Sequence, residues 1–229
     1  TAQACGGTYK GRTLGTIGHI GAFSTDAGKT LMTGEGGMVV TADENLFIRA
    51  RSYHDHGHEY SNSKGRAEEG ALLPGFNFRL TELQGAIGLV QLSKLDMILE
   101  KQRFNKHFLK NALKDCPFQF RKIIDADGDI GDALVFFLDT REQAHTFVEK
   151  IRGAGLGTKN LPDAIRWHFA KHWEHLFLDN GSKDLDWNSR WATSSNLLER
   201  AVALPIMVKS SKDDLCQIAE KVIQISKDI

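Results

Sequence analysis

Behind Thr81, which reads as an N-cap, apolar residues recur at helical spacing: Leu83, Ala86, Ile87, Leu89, Val90, Leu92, Leu95, Ile98 and Leu99, continuing to about Leu113. A helix this long inside 229 residues sets a seam, and the sequence differs on its two sides. Before it the chain is punctuated by glycine, at Gly6-Gly7, Gly11, Gly15, Gly18, Gly21, Gly34 and Gly36-Gly37. Residues 20–24 and 37–41 read there as short buried strands, and Glu44 to Tyr53 as a helix. After it, Phe118 to Ile124, Ala133 to Asp139 and Ala201 to Pro205 read as strands. Glu142 to Arg152, stopped by Gly153, Ser194 to Arg200 and Lys212 to Lys227 read as helices. Intermixed strands and helices predict an α/β chain, with a larger domain ending near residue 104 and a smaller α+β domain over 105–229.

Lysine plus arginine and aspartate plus glutamate each number 29, so the formal net charge is zero. That balance carries no electrostatic footprint for nucleic acid or an anionic membrane, and no apolar run approaches the length of a membrane span. The three cysteines, at 5, 116 and 216, are odd in number and widely spread, which predicts reduced thiols in a cytoplasmic protein. The chain opens on Thr1-Ala2-Gln3-Ala4-Cys5-Gly6-Gly7, without methionine and inside what reads as an element, as a fragment or processed piece would.

The chemistry concentrates around Lys29. Ser24 lies five residues before it, and Gly34-Glu35-Gly36-Gly37 follows. A hydroxyl, an isolated lysine and a glycine turn in this order suit a site that holds a phosphate and offers an amine to a carbonyl, which is pyridoxal-phosphate Schiff-base chemistry. Ala27-Gly28-Lys29-Thr30 also looks like the end of a P-loop, but that motif needs glycine at position 23, where Phe23 stands. The polar stretch from His54 to Phe78 is too long for a bland connection and reads as functional or disordered. His54, His56 and His58 alternate within it, yet the segment is broken by glycines and lacks a second ligand cluster, so no metal site is expected.

Taken together, Thr1 to Arg12, Gly21-Ala22-Phe23-Ser24, Lys29, Thr33-Gly34-Glu35-Gly36-Gly37, His56-Gly57 and Asn77-Phe78-Arg79-Leu80-Thr81-Glu82-Leu83-Gln84 resemble the DegT/StrS-type sugar aminotransferases in order and near-spacing. The resemblance covers essentially the whole chain and implies fold type I. Residues 1–104 would then be the C-terminal part of the large cofactor domain and 105–229 the small domain. It implies pyridoxal 5'-phosphate as cofactor, Lys29 as the lysine that bonds it, Ser24 as a phosphate ligand and Gln3 as a neighbour of its ring. Asn77 would reach the phosphate in the neighbouring subunit, which implies a homodimer with shared active sites. Two departures stand out. The aspartate that pairs with the pyridine nitrogen should immediately precede Thr1, and Thr25-Asp26-Ala27-Gly28 replaces a stretch often aromatic or proline-containing.

For substrate, Arg79 and His56 are candidates, as are Arg166, Trp167 and His168 in the aromatic and imidazole-rich block from Leu161 to His175. That block resembles the branch forming 8-amino-3,8-dideoxy-octulosonate for lipopolysaccharide, with glutamate as amino donor. The alternatives are a nucleotide-linked 4-keto-hexose aminotransferase, a sugar dehydratase, whose relatives carry histidine at the lysine position, and a cofactor-binding module without turnover.

Overall fold

The glycine-bounded apolar runs of the first hundred residues form strands, but short ones. In the computed structural model, which describes residues 1–158, 168–176 and 186–229 (the side chains of Trp187 and Asn188 excepted), the chain divides into two compact units. One comprises Thr1–Glu100 with Ile124–Ile130, the other Lys101–Ile123 with Gly131–Ile229.

The first unit opens with a small antiparallel pair, β1 (Thr8–Tyr9) and β2 (Arg12–Thr13). Residues 124–130 return to it: the Thr8 amide donates to the Gly128 carbonyl at 3.0 Å, and the Lys10 amide donates to Asp125 Oδ2 at 2.6 Å. This return was not legible in the sequence, which placed a single seam near residue 104. Strands β3 (Gly21–Ser24) and β4 (Gly37–Val40) pair antiparallel with Ser24 opposite Gly37. They are not the buried strands expected. Met38 and Val39 are 49% and 56% exposed and line an open cavity of this unit.

Helix α1 (Glu44–His54) starts where the Asp43 carboxylate accepts the Leu46 amide, satisfying one of the unpaired donors of the first turn. Thr81 caps α2 (Glu82–Leu92) with a full capping box: its hydroxyl accepts from the Gln84 amide while Gln84 Oε1 accepts from the Thr81 amide. The expected single helix is broken after Leu92, and α3 (Leu95–Ala112) resumes beyond Ser93-Lys94. The Ser93 hydroxyl donates to the Val90 carbonyl at 2.8 Å, and the Lys94 amide turns back to Gln91. Serine offers the backbone a competing partner that apolar periodicity does not register.

The second unit carries a three-stranded antiparallel sheet in the order β5 (Gln119–Phe120), β6 (Ala133–Phe137), β7 (Ala201–Pro205). Phe136 faces Val202 and Leu134 faces Leu204 across the β6–β7 ladder. Both strands are buried on both faces, hence their unbroken apolar sequences. The run expected from Phe118 to Ile124 supplies only two paired residues. Helix α4 (Arg141–Gly153) is capped by a Thr140–Gln143 box. It ends in a Schellman motif, with the Leu156 amide on the Ile151 carbonyl, the Gly155 amide on Arg152, and Gly155 at φ 78°. Gly155, and not Gly153, is therefore the stop. Short helices α5 (Trp187–Arg190) and α6 (Ala192–Glu199) precede β7, and α7 (Lys212–Ser226), capped by Ser211 and Asp214, closes the chain. Phe136, Phe147, Leu109, Leu113, Ile151, Leu215 and Val222 form the core of this unit. Among the described residues, no helix is long and apolar enough to cross a membrane.

Candidate active site

Lys29 lies in the loop that joins β3 to β4, so Ser24 and Gly37 at the strand ends fix both its entry and its exit. The loop is folded on itself. The Thr25 amide donates to the Gly36 carbonyl at 2.9 Å and the Thr33 amide to the Thr25 carbonyl at 2.8 Å. The two threonine hydroxyls, both buried, share a hydrogen bond of 2.8 Å, and Thr33 Oγ1 donates to the Glu35 carbonyl at 2.7 Å. Gln84 Nε2, from the first turn of α2, donates to that same carbonyl at 2.9 Å and ties the helix start to the loop. Gly36 adopts φ 124°, and a Cβ there would crowd Leu80 and Thr25, so the turn after Lys29 requires glycine.

Within the loop, Asp26 gathers the reactive groups. Its Oδ1 accepts the Gly28 amide at 2.6 Å, and its Oδ2 lies 3.3 Å from both Lys29 Nζ and Ser24 Oγ. The Gly28 hydrogen bond, opposed by partial burial and aided by Lys29, holds the Asp26 carboxyl below the usual carboxylate range. Amine and hydroxyl thus converge on one anionic oxygen. That donor set fits an aldehyde that carries a phosphate: a hydroxyl for the anion and an amine for the carbonyl. It does not fit a P-loop, which leads into a helix; here the loop leads into β4. A cavity of about 820 Å³, lined among others by Phe23, Glu35, Phe47, Tyr53, Phe78 and Arg79, lies on the same unit, but Ser24 and Lys29 do not line it. The convergence on Asp26, not that cavity, defines the candidate site.

A second cluster is built by the polar stretch after α1, which proves ordered. Its two arms run antiparallel: Asp55 bridges Asn77, the His56 amide donates to the Phe76 carbonyl, and the Phe78 amide to the His54 carbonyl. The arms approach so closely at Gly57, which has φ 90°, that a Cβ would overlap the Leu73 carbonyl oxygen. At the base sits Asp55, 1% exposed. Its Oδ1 accepts from Arg66 Nη2 at 2.6 Å, Arg79 Nη1 at 3.2 Å and His56 Nδ1 at 3.1 Å, and its Oδ2 from the Tyr60 hydroxyl at 2.8 Å. Burial opposes ionisation, but the Tyr60 and His56 hydrogen bonds and the two guanidiniums outweigh it and hold the carboxyl far below its ordinary value. Arg79 Nε also donates to Asn77 Oδ1 at 3.1 Å. Tyr60, at φ 56°, is stacked under the Arg51 guanidinium, 3.7 Å from the ring centroid. His58 Nδ1 pairs with Glu69 Oε1 at 2.7 Å. Asp55, His56 and His58 bring possible ligand atoms within 4.8 Å of one another, but the two guanidiniums on Asp55 oppose a dication there.

The sequence candidates are therefore distributed as follows. Ser24 and Lys29 meet through Asp26. His56, Asn77 and Arg79 meet at Asp55, on the arm that leads into α2. Gln3 is exposed in the opening turns. His168 is exposed in the other unit, beside Phe169, whose ring lies 5.9 Å from that of Trp191. Arg166 and Trp167 lie outside the described residues. Asp26 and Asp55 are the residues that sequence reasoning passed over. Asp26 stood in plain view at i−3 from Lys29, and Asp55 was hidden between histidines that drew attention to themselves.

With Ser24 at the end of β3 and Lys29 in the loop that follows, the chain shares the fold of the fold-type I pyridoxal-phosphate-dependent sugar aminotransferases it superposes on. The profile of the DegT/DnrJ/EryC1/StrS aminotransferase family matches residues 1–223, and the chain belongs to that family. Aminotransferases of this family bind pyridoxal 5'-phosphate. The spore coat polysaccharide biosynthesis protein SpsC of Bacillus subtilis is 30% identical over 239 residues, covering 99% of this chain and 58% of SpsC. GDP-perosamine synthase of Escherichia coli O157:H7 is 38% identical over 102 residues, covering 44% of this chain and 27% of the synthase. Helicobacter pylori PseC, an aminotransferase involved in the biosynthesis of pseudoaminic acid, superposes with a TM-score of 0.82 at 21% identity, covering 100% of this chain and 59% of PseC. The chain thus spans less than two thirds of the length of these relatives.

Proposed function

We propose that the protein carrying this chain is a pyridoxal-phosphate-dependent aminotransferase that moves an amino group from glutamate to a keto or aldehyde sugar. The observation that carries the reading is the convergence of Lys29 Nζ and Ser24 Oγ on Asp26 in a family-matched hairpin. Bound pyridoxal phosphate supplies an aldehyde for the lysine and a ring that takes up electron density when a C–H bond beside nitrogen is broken. Lys29 Nζ is the nucleophile and, once free, the base that carries a proton between carbons. Asp26 holds its ammonium in place between these tasks. Ser24 donates to the phosphate, Asn77 adds an amide donor from the neighbouring subunit of a cytoplasmic homodimer, and Gln3 flanks the ring. His56, Arg79, Arg166, Trp167 and His168 are assigned to the substrate side.

Mixing the protein with cofactor, reducing with borohydride and mapping peptides by mass spectrometry should place the cofactor mass on the Lys29 peptide and nowhere in Lys29→Ala. A wild type that captures no cofactor mass overturns the reading.

For the acceptor we favour the eight-carbon 8-oxo-3-deoxy-octulosonate of lipopolysaccharide biosynthesis, a sugar acid whose own carboxylate suits an arginine. The second reading is a nucleotide-linked 4-keto-hexose, favoured by the similarity to GDP-perosamine synthase. Offering both acceptors with glutamate and weighing the products decides between them. Nitrogen gained only by the nucleotide-linked sugar removes the octulosonate assignment, and a product without nitrogen points to dehydration, against which Lys29 itself argues.

A further inference from the structure

We propose that Asp55 is a positioning residue that acts through Arg79 to fix the amide of Asn77, so that Asn77 presents its N–H end to an anion. The proposal rests on the reading of Asn77 as a phosphate donor and explains what makes it one.

A side-chain amide has two unlike ends, an oxygen that only accepts and a nitrogen that only donates. Facing a phosphate oxygen, the first repels and the second binds, so the orientation of Asn77 decides whether it helps or harms. Its Oδ1 is already taken: Arg79 Nε donates to it at 3.1 Å, and the Arg79 amide approaches it at 3.4 Å. With Oδ1 engaged, Nδ2 is the end of the amide left to donate to an anion. Arg79 can hold Oδ1 only if its own fork is held, because the side chain is long and 42% exposed. Asp55 supplies that hold through Nη1 at 3.2 Å, from a carboxylate whose backbone also bridges Asn77. The guanidinium is rigid and planar, so fixing Nη1 sets the direction of Nε. Arg66 Nη2 reaches the same Asp55 oxygen at 2.6 Å. Two guanidiniums converging on one oxygen would repel each other without the charge between them. The chain of contacts runs from a buried carboxylate through a cation to an amide, and Arg79 is in it a positioning residue.

Two measurements on the protein test this. The first needs no cofactor. Hindered rotation of the Arg79 guanidinium about its Nε–Cζ bond should give a resolved 15Nη–1Hη resonance, assigned by its loss in Arg79→Lys. It should broaden or vanish in Asp55→Asn, and a freely rotating Arg79 in the wild type overturns the proposal even if Asp55→Asn fails to fold. The second is titration with pyridoxal phosphate and with pyridoxal, which lacks the phosphate. Asp55→Asn should weaken pyridoxal phosphate about tenfold and pyridoxal less than about twofold, and should add nothing once Asn77→Ala is present. Equal losses for both ligands, or additivity with Asn77→Ala, would show Asp55 to be merely structural. A wild type that binds neither ligand refutes the aminotransferase reading instead, and the Arg79 resonance then decides the relay alone.

Discussion

Replacing Thr33 by valine should loosen the Lys29 loop by an amount that the geometry fixes. Valine keeps the shape and removes the hydroxyl, which shares a hydrogen bond with Thr25 Oγ1 and donates to the Glu35 carbonyl. Two hydrogen bonds at about 1 kcal/mol each give ~2 kcal/mol. The further penalty for orphaned groups is small at Glu35, whose carbonyl keeps the Gln84 amide, and falls on the buried Thr25 hydroxyl alone. For a chain of this size ~2 kcal/mol corresponds to a fall in Tm of about 4–8 °C. Thr33→Ser keeps both hydrogen bonds and loses only a methyl, so it should fall by less than half as much. Thermal melts, with amide exchange at Thr25 and Thr33, separate the two variants, and borohydride capture at Lys29 should slow in Thr33→Val alone. If Thr33→Ser is the worse of the two, methyl packing and not the hydroxyl holds the loop, and the reasoning fails.

Three further outcomes follow from the same structure. The Asp26 carboxyl is depressed in the folded chain, so its contribution is present above its unfolded value of about 4 and is lost as pH falls through the lower folded value. The Gly28 amide resonance should shift over that acid range in the wild type and stay still in Asp26→Asn. Phe136→Ala removes a fully buried ring stacked 4.2 Å from Phe118 and set edge-on to Phe147, and should cost about 3–5 kcal/mol in urea unfolding of the second unit. Gly57→Ala should break the close approach to Leu73 and release Asn77, visible as lost exchange protection at the His56 and Phe78 amides, with the Lys29 loop unchanged.

What could be read from the sequence follows the range over which its signals act. Thr81 marks a helix start because the cap and its partner, Gln84, lie three residues apart. Ala201 to Pro205 was legible as a strand because burial on both faces leaves an unbroken apolar run. The Ser24–Lys29 interval survives into the structure as a shared contact because a single hairpin loop enforces it. The break at Ser93 was invisible, since a serine hydroxyl that bonds its own helix leaves the apolar spacing untouched. The return of residues 124–130 to the first unit depends on pairings such as Lys10 with Asp125, 115 residues apart, which no local pattern encodes. The Asp55 hub fails for the same reason: its donors come from positions 56, 60, 66 and 79 and meet only after the loop has folded back.

The sheet of the second unit has a kinetic consequence. Its outer strands give little to a stranger: β5 is two residues long, and β7 is buried and ends in Pro205, which has no amide proton. The run Ala133-Leu134-Val135-Phe136-Phe137 in the middle is the kind of segment that seeds cross-β aggregates once bare. With its neighbours in place it is out of reach, so fibril growth through this segment must wait for the whole unit to open. Its rate on heating should track unfolding and be insensitive to substitutions at the short outer strand that leave unfolding unchanged.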